Sequence, residues 1–182
     1  MNWANFTTLS RIGLIPLIIV AYYSSLDWAN SLAAILFAVA SITDWLDGYL
    51  ARKLKQSSDF GAFLDPVADK ILVTVILIML VAVYPALCIA AIVIITRELL
   101  VSALREWMAT SGKRGTVAVA FTGKLKTTVQ MLAIIALLLA EESLPGYVLQ
   151  TGYVLINIAA LLSIWSMFHY FKNAWAVLFP KP

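Results

Sequence analysis

Hydrophobic runs along this chain are interrupted by charges and turns, with no long polar linkers between them. Stretches 12–26, 28–43, 71–96, 127–140 and 143–171 contain no Asp, Glu, Lys or Arg. The third of these holds Tyr84-Pro85. A proline disfavours helical backbone at the residue before it, so this dipeptide reads as a tight turn between two helices. The pattern predicts six helices, over 8–25, 28–53, 60–83, 86–108, 119–140 and 147–171. Helices of roughly 20 residues are what a hydrocarbon core of about 30 Å requires. Ahead of the first span, Trp3, Phe6 and Leu9 recur at helical spacing and predict a short interfacial helix. Internal repeats, low-complexity tracts and a separate soluble region are not visible, so residues 1–182 read as a single domain.

Composition turns these helices into membrane spans. Of 182 residues, 62% are hydrophobic and 13% charged, against about 45–50% and about 25% in soluble domains. That excludes a disordered chain and a solvated nucleic-acid binder. A single cysteine, Cys88, excludes an internal disulfide and a cysteine-rich zinc site. The expected fold is all-α, a bundle of six transmembrane helices. Connections near 24–30, 84–86 and 141–147 carry Asp27, Glu141 and Glu142 and no basic residue. The opposite side receives Arg52, Lys53, Lys55, Lys113, Arg114, Lys124, Lys126, Lys172 and Lys181. By the positive-inside rule the basic side is cytoplasmic, and both termini lie there.

Some charges fall inside the predicted spans. Ile71 to Tyr84 is 14 residues, about 21 Å of helix at 1.5 Å per residue. The third helix must therefore continue back through Lys70, Asp69 and Asp65 to cross the membrane. The same arithmetic puts Asp44 about 24 Å from Trp28, and Asp65 about 28 Å from Tyr84. Asp44, Asp47, Asp65 and Asp69 thus share one layer near the cytoplasmic edge. Each pair, spaced i,i+3 or i,i+4, also shares a helix face. Leaving four carboxylates there without counter-charge would cost several kcal/mol at least. Either Arg52, Lys53 and Lys70 neutralise them, or cations do. Hard carboxylate oxygens without His or Cys favour two Mg²⁺ or Mn²⁺ ions over zinc.

Read together, the segment is Asp44-x2-Asp47-Gly48-x2-Ala51-Arg52-x8-Gly61-x3-Asp65-x3-Asp69. Gly48, Ala51 and Gly61 admit a ligand or a neighbouring helix at close range. Arg52 suits a diphosphate oxygen or snorkels to the interface. Ser58 either caps the third helix or offers its hydroxyl to a phosphate at that helix end. The segment resembles the signature of the CDP-alcohol phosphotransferase family, with every signature position present. More loosely, Asn5-x2-Thr8-x2-Arg11, Arg97-Glu98, Ser102-x2-Arg105-Glu106 and Gly123-Lys124-x-Lys126-Thr127 resemble the bacterial branch of that family whose acceptor is glycerol 3-phosphate.

The resemblance implies transfer of a phosphatidyl group from CDP-diacylglycerol to an alcohol, with release of CMP. It implies Asp44, Asp47 and Asp65 as metal ligands, with Asp69 completing the second metal's surroundings and acting as the base. It assigns Gly48, Ala51, Arg52, Ser58 and Gly61, with Asn5 and Thr8, to CDP-diacylglycerol. It also implies a homodimer among lipids of the bacterial inner membrane, with the site facing the cytoplasm. Arg97, Arg105, Arg114, Lys124 and Lys126 are a basic supply suited to a phosphorylated acceptor, sn-glycerol 3-phosphate. Arg97 lies about 17 Å from Ala86 along its helix, inside the bilayer, so its alternative is a structural pairing with Glu98 or Glu106. Competing readings are a relative using inositol phosphate, serine or phosphatidylglycerol, a divalent-cation transporter, and a scaffold. A transporter needs a polar path across the membrane, yet 32–40 and 71–84 are almost wholly apolar.

Overall fold

A computed structural model describes residues 3–54, 59–112, 121–141 and 144–179, with side chains at 9–43, 64, 67–112, 123, 125–141 and 144–179. The helices are α1 (Trp3–Tyr22), α2 (Ala29–Leu54), α3 (Asp59–Val83), α4 (Cys88–Thr110), α5 (Phe121–Leu139) and α6 (Tyr147–Leu178). All six expected helices are there, and the described residues contain no strand. Tyr84 has the non-helical backbone (φ −121°, ψ 79°) that Pro85 demands, and a single 3₁₀ turn, Pro85–Leu87, leads into α4.

Two expectations need correction. The short interfacial helix does not stand apart, because α1 runs unbroken from Trp3 to Tyr22. Neither proline nor glycine separates Trp3 from Ile12, so nothing local ends the helix there. Pro16 lies within α1 as well. The last helix continues past 171 to Leu178, since no breaker occurs before Pro180.

The helices pack as a bundle in which α1 lies against α2 and α3, α5 against α2 and α6, and α4 against α6. Ile18, Phe37, Ile76, Leu80, Ile134, Leu137 and Ile156 form its fully buried centre. Close approach of α5 and α6 depends on Gly152, where an added Cβ would stand 2.7 Å from the Leu137 side chain and 3.3 Å from its backbone nitrogen. Small residues of this kind let helices associate in lipid, where dispersion contacts replace the hydrophobic effect as the driving force.

Polarity is distributed inside out. Val20, Ile78, Ile89, Leu161, Trp165 and Phe168 are exposed, while Arg11, Arg97, Lys126, Gln130, Ser163 and Ser166 are buried. Water would not tolerate so large an apolar exterior; hydrocarbon would. The helical stretches Pro85–Thr110 and Tyr147–Leu178 are each long and apolar enough to cross a membrane, and Leu9–Tyr22, Ala29–Thr43 and Leu125–Leu139 are shorter apolar helices.

At the end away from the basic residues, neutral hydrogen bonds tie the bundle together. The Ala140 carbonyl, just past α5, accepts from Asn30 Nδ2 (2.8 Å) and Tyr84 Oη (3.1 Å). Tyr84 also meets the Tyr153 ring edge-on at 6.3 Å. Burial holds its phenol above the ordinary tyrosine range.

Replacing Gly152 by Val is expected to lower stability by about 2–3 kcal/mol through overpacking against Leu137. Thermal unfolding in detergent micelles measures this, and an unchanged midpoint would show that α6 can move aside without cost.

Candidate active site

Asp44, Asp47, Gly48, Ala51 and Arg52 lie on the last turns of α2, and Gly61, Asp65 and Asp69 on the first turns of α3. The side chains of all of these but Asp69 are outside the described residues, as are those of Asn5, Thr8 and Lys124. Ser58 and Arg114 lie outside them altogether. Among the described residues no three Asp, Glu, His or Cys side chains gather as a metal-binding group. Ser41, one turn before Asp44, and Asp69 line the same cavity.

That cavity has a volume of about 210 Å³ and lies among five helices. Its polar wall comprises Arg11 of α1, Ser41 of α2, Asp69, Lys70 and Thr74 of α3, Glu98 of α4, and Thr127 and Gln130 of α5. Arg11 Nη1 donates to Asp69 Oδ1 across 58 positions of sequence, with the arginine side chain 2% exposed and the aspartate 41%. Asp69 is thus partly exposed at the cavity and held by a buried arginine. An all-oxygen donor set drawn from two helices fits a hard divalent ion.

A second polar cluster adjoins the first. Glu98 accepts from Lys126 Nζ and from Arg97 Nη1 (3.3 Å). Arg97 Nη2 donates to Ser166 Oγ at 2.6 Å, and its guanidinium carbon lies 5.9 Å from the Tyr170 ring centroid. Lys126 is 1% exposed and Arg97 7%. Of the two candidate partners for Arg97, Glu98 is therefore the one engaged; Glu106 and Arg105 are exposed on α4. Two cations share one carboxylate here, so the cluster keeps a positive excess beside the cavity. Farther from the basic end the described core is apolar, with Ile76, Leu80, Leu87, Ile134 and Leu137 fully buried.

Sequence reasoning used Arg11 only as part of a pattern and passed over Gln130. Arg11 did leave a signal: it lies about 17 Å from Tyr22 along α1, a charge deep within a span. Gln130 left less, being one neutral polar residue in an apolar run.

The sequence matches the CDP-alcohol phosphatidyltransferase family over residues 1–165. It is 47% identical over 175 residues to a protein of Pectobacterium atrosepticum, covering 95% of this chain and 94% of the relative. Proteins of Yersinia enterocolitica and Sodalis glossinidius are 44% and 43% identical, each match covering 96% of this chain and 96% and 95% of the relative, respectively. All three relatives carry the name CDP-diacylglycerol--glycerol-3-phosphate 3-phosphatidyltransferase.

Removing the shared carboxylate is expected to be costly. Glu98→Ala leaves Lys126 and Arg97 buried against no carboxylate and should lower stability by about 3–5 kcal/mol. Adding Lys126→Met to that variant should recover part of the loss. Unfolding midpoints of the wild type, single and double variants in micelles measure both effects; a Glu98→Ala protein as stable as wild type would show the pairing to be dispensable.

Proposed function

The chain belongs to the CDP-alcohol phosphatidyltransferase family, and from this premise we propose that it is a phosphatidylglycerophosphate synthase. It transfers the phosphatidyl group of CDP-diacylglycerol to sn-glycerol 3-phosphate, releases CMP and serves phospholipid biosynthesis. The observation that carries this reading is near full-length identity of 43–47% to relatives named for that reaction, together with an unbroken Asp44-to-Asp69 signature.

The residues suit the chemistry. The acceptor's hydroxyl oxygen bonds to the phosphorus bearing the diacylglycerol, the bond from that phosphorus to the CMP oxygen breaks, and the hydroxyl proton passes to Asp69. A base must stand within hydrogen-bond reach of that proton, and Asp69 lines the cavity where an acceptor would sit. Arg11, anchored on Oδ1, holds the carboxylate's orientation. Asp44, Asp47 and Asp65, with Asp69, would hold two Mg²⁺ or Mn²⁺ ions, which when bound neutralise diphosphate charge and polarise the phosphorus. Gly48, Ala51, Arg52, Ser58 and Gly61, with Asn5 and Thr8, receive CDP-diacylglycerol. Arg97, Arg105, Arg114, Lys124 and Lys126 supply the positive field for the acceptor phosphate. The buried excess of two cations over one carboxylate at Glu98 supports that assignment.

The setting follows from the same physics. Six helices span the bacterial inner membrane, with the basic end, both termini and the site on the cytoplasmic side. There the water-soluble acceptor and the headgroup of a lipid donor can meet. The active form is a homodimer.

Membranes containing the protein, given CDP-diacylglycerol, Mg²⁺ and labelled glycerol 3-phosphate, should release CMP and form labelled lipid, and a chelator should stop both. CMP release with inositol phosphate but not glycerol 3-phosphate would overturn the acceptor. Asp69→Asn should lower turnover at least about a hundredfold while sparing CDP-diacylglycerol binding; substantial residual turnover would remove Asp69 from the role of base. Arg105→Ala and Lys124→Ala should each raise the KM for glycerol 3-phosphate, and normal saturation in both would remove them from the acceptor site.

A further inference from the structure

We propose that Gln130 reads the acceptor's non-reacting hydroxyl, accepting its hydrogen bond at Oε1. This deepens the glycerol 3-phosphate reading and rests on it. The starting observation is an atom without a partner. Gln130 is 2% exposed and lines the cavity that holds Asp69, and its Oε1 is buried with no hydrogen-bond donor. Leaving a buried acceptor unpaired costs about 1–3 kcal/mol, a deficit that a bound hydroxyl would remove.

Two other neutral side chains that line the cavity spend their hydroxyl protons within the protein. Ser41 Oγ donates to the Phe37 carbonyl at 2.8 Å and lies 3.4 Å from Met131 Sδ. Thr127 Oγ1 donates to the Gly123 carbonyl at 2.9 Å. Among the described side chains that line the cavity, Gln130 is the neutral one with a buried acceptor oxygen that has no partner.

The cavity's size and lining select the ligand's chemistry. At about 30 Å³ per water, its 210 Å³ equals roughly seven waters, enough for a three-carbon polyol. Arg11, Asp69, Lys70 and Glu98 give part of the wall the charge that suits a phosphate and hydroxyls, beside apolar residues such as Leu72, Val73 and Ile94. Lys126 and Gln130 are spaced i,i+4 and share one face of α5, about 6 Å apart along the axis. A polyol phosphate can keep its anion toward the cations that line the cavity, Arg11 and Lys70, and extend its hydroxyls toward Gln130. Glycerol 3-phosphate brings a hydroxyl at C1 and another at C2. The cavity offers two acceptors to match: Asp69 for the C1 hydroxyl that reacts, and Gln130 for the C2 hydroxyl that does not.

A site built to bond a hydroxyl rejects the analogue lacking it, because its own polar group is then left unpaired. The test compares sn-glycerol 3-phosphate with propane-1,3-diol monophosphate, which lacks the C2 hydroxyl, in membranes holding wild type, Gln130→Met or Gln130→Asn. Wild type should prefer glycerol 3-phosphate in kcat/KM by about tenfold or more. Gln130→Met, similar in length but without the amide, and Gln130→Asn, with its carbonyl withdrawn, should both bring that ratio close to unity. The KM for CDP-diacylglycerol should not change in either. An undiscriminating wild type, or a variant that turns over and keeps the wild-type ratio, overturns the proposal; the latter means that Gln130 meets only buried water. Absence of CMP release by wild type on glycerol 3-phosphate overturns the proposed function instead, and this inference with it.

Discussion

A charged side chain within a helical bundle, away from water, must find an opposite charge or a full set of hydrogen bonds. That requirement organises the cavity end of this molecule. Arg11 of α1 finds Asp69 of α3, and Lys126 of α5 and Arg97 of α4 share Glu98. Arg97 reaches on to Ser166 of α6. Five helices are thereby tied by groups that cannot be left alone. Apolar helix faces in lipid slide past one another at small cost, because one methyl resembles the next. A buried ion pair has no such latitude, and it selects which turn of one helix meets which turn of another.

The two ends of the bundle solve different problems. At the end carrying Asp27 and Glu141, the turn around Ala140 is held by the amide of Asn30 and the phenol of Tyr84, with apolar core behind it. At the other end the interior is polar, and it opens around Asp69 and Glu98. This asymmetry matches an enzyme whose donor is a lipid and whose acceptor is dissolved in water, and it gives no support to a conduit through the membrane.

The cavity carries a cost that packing alone would not choose. Space of about 210 Å³ beside a well-packed core forfeits dispersion contacts, and the unpartnered Oε1 of Gln130 adds a desolvation penalty. Both are the kind of local deficit found where a ligand is meant to complete the structure. The Gly152 contact between α5 and α6 works the other way, drawing Leu137 close and giving α5 a firm backing for the residues it points into the cavity.

Much was legible from the chain itself, because the governing physics is local. Helical periodicity and the energetic penalty for polar groups in hydrocarbon act residue by residue, so six helices and the Tyr84-Pro85 turn follow from spacing and length. Even the limits of the first and last helices depended on where breakers occur, and there the expectation of a separate interfacial helix failed. Tertiary structure decided which charges meet. That Arg11 would take Asp69 from 58 residues away, that Glu98 and not Glu106 would hold both Arg97 and Lys126, and that Gln130 would face a cavity all depend on how far each helix is rotated and how deeply it is set against its neighbours. Hydropathy records that a face is buried; it does not record what lies opposite.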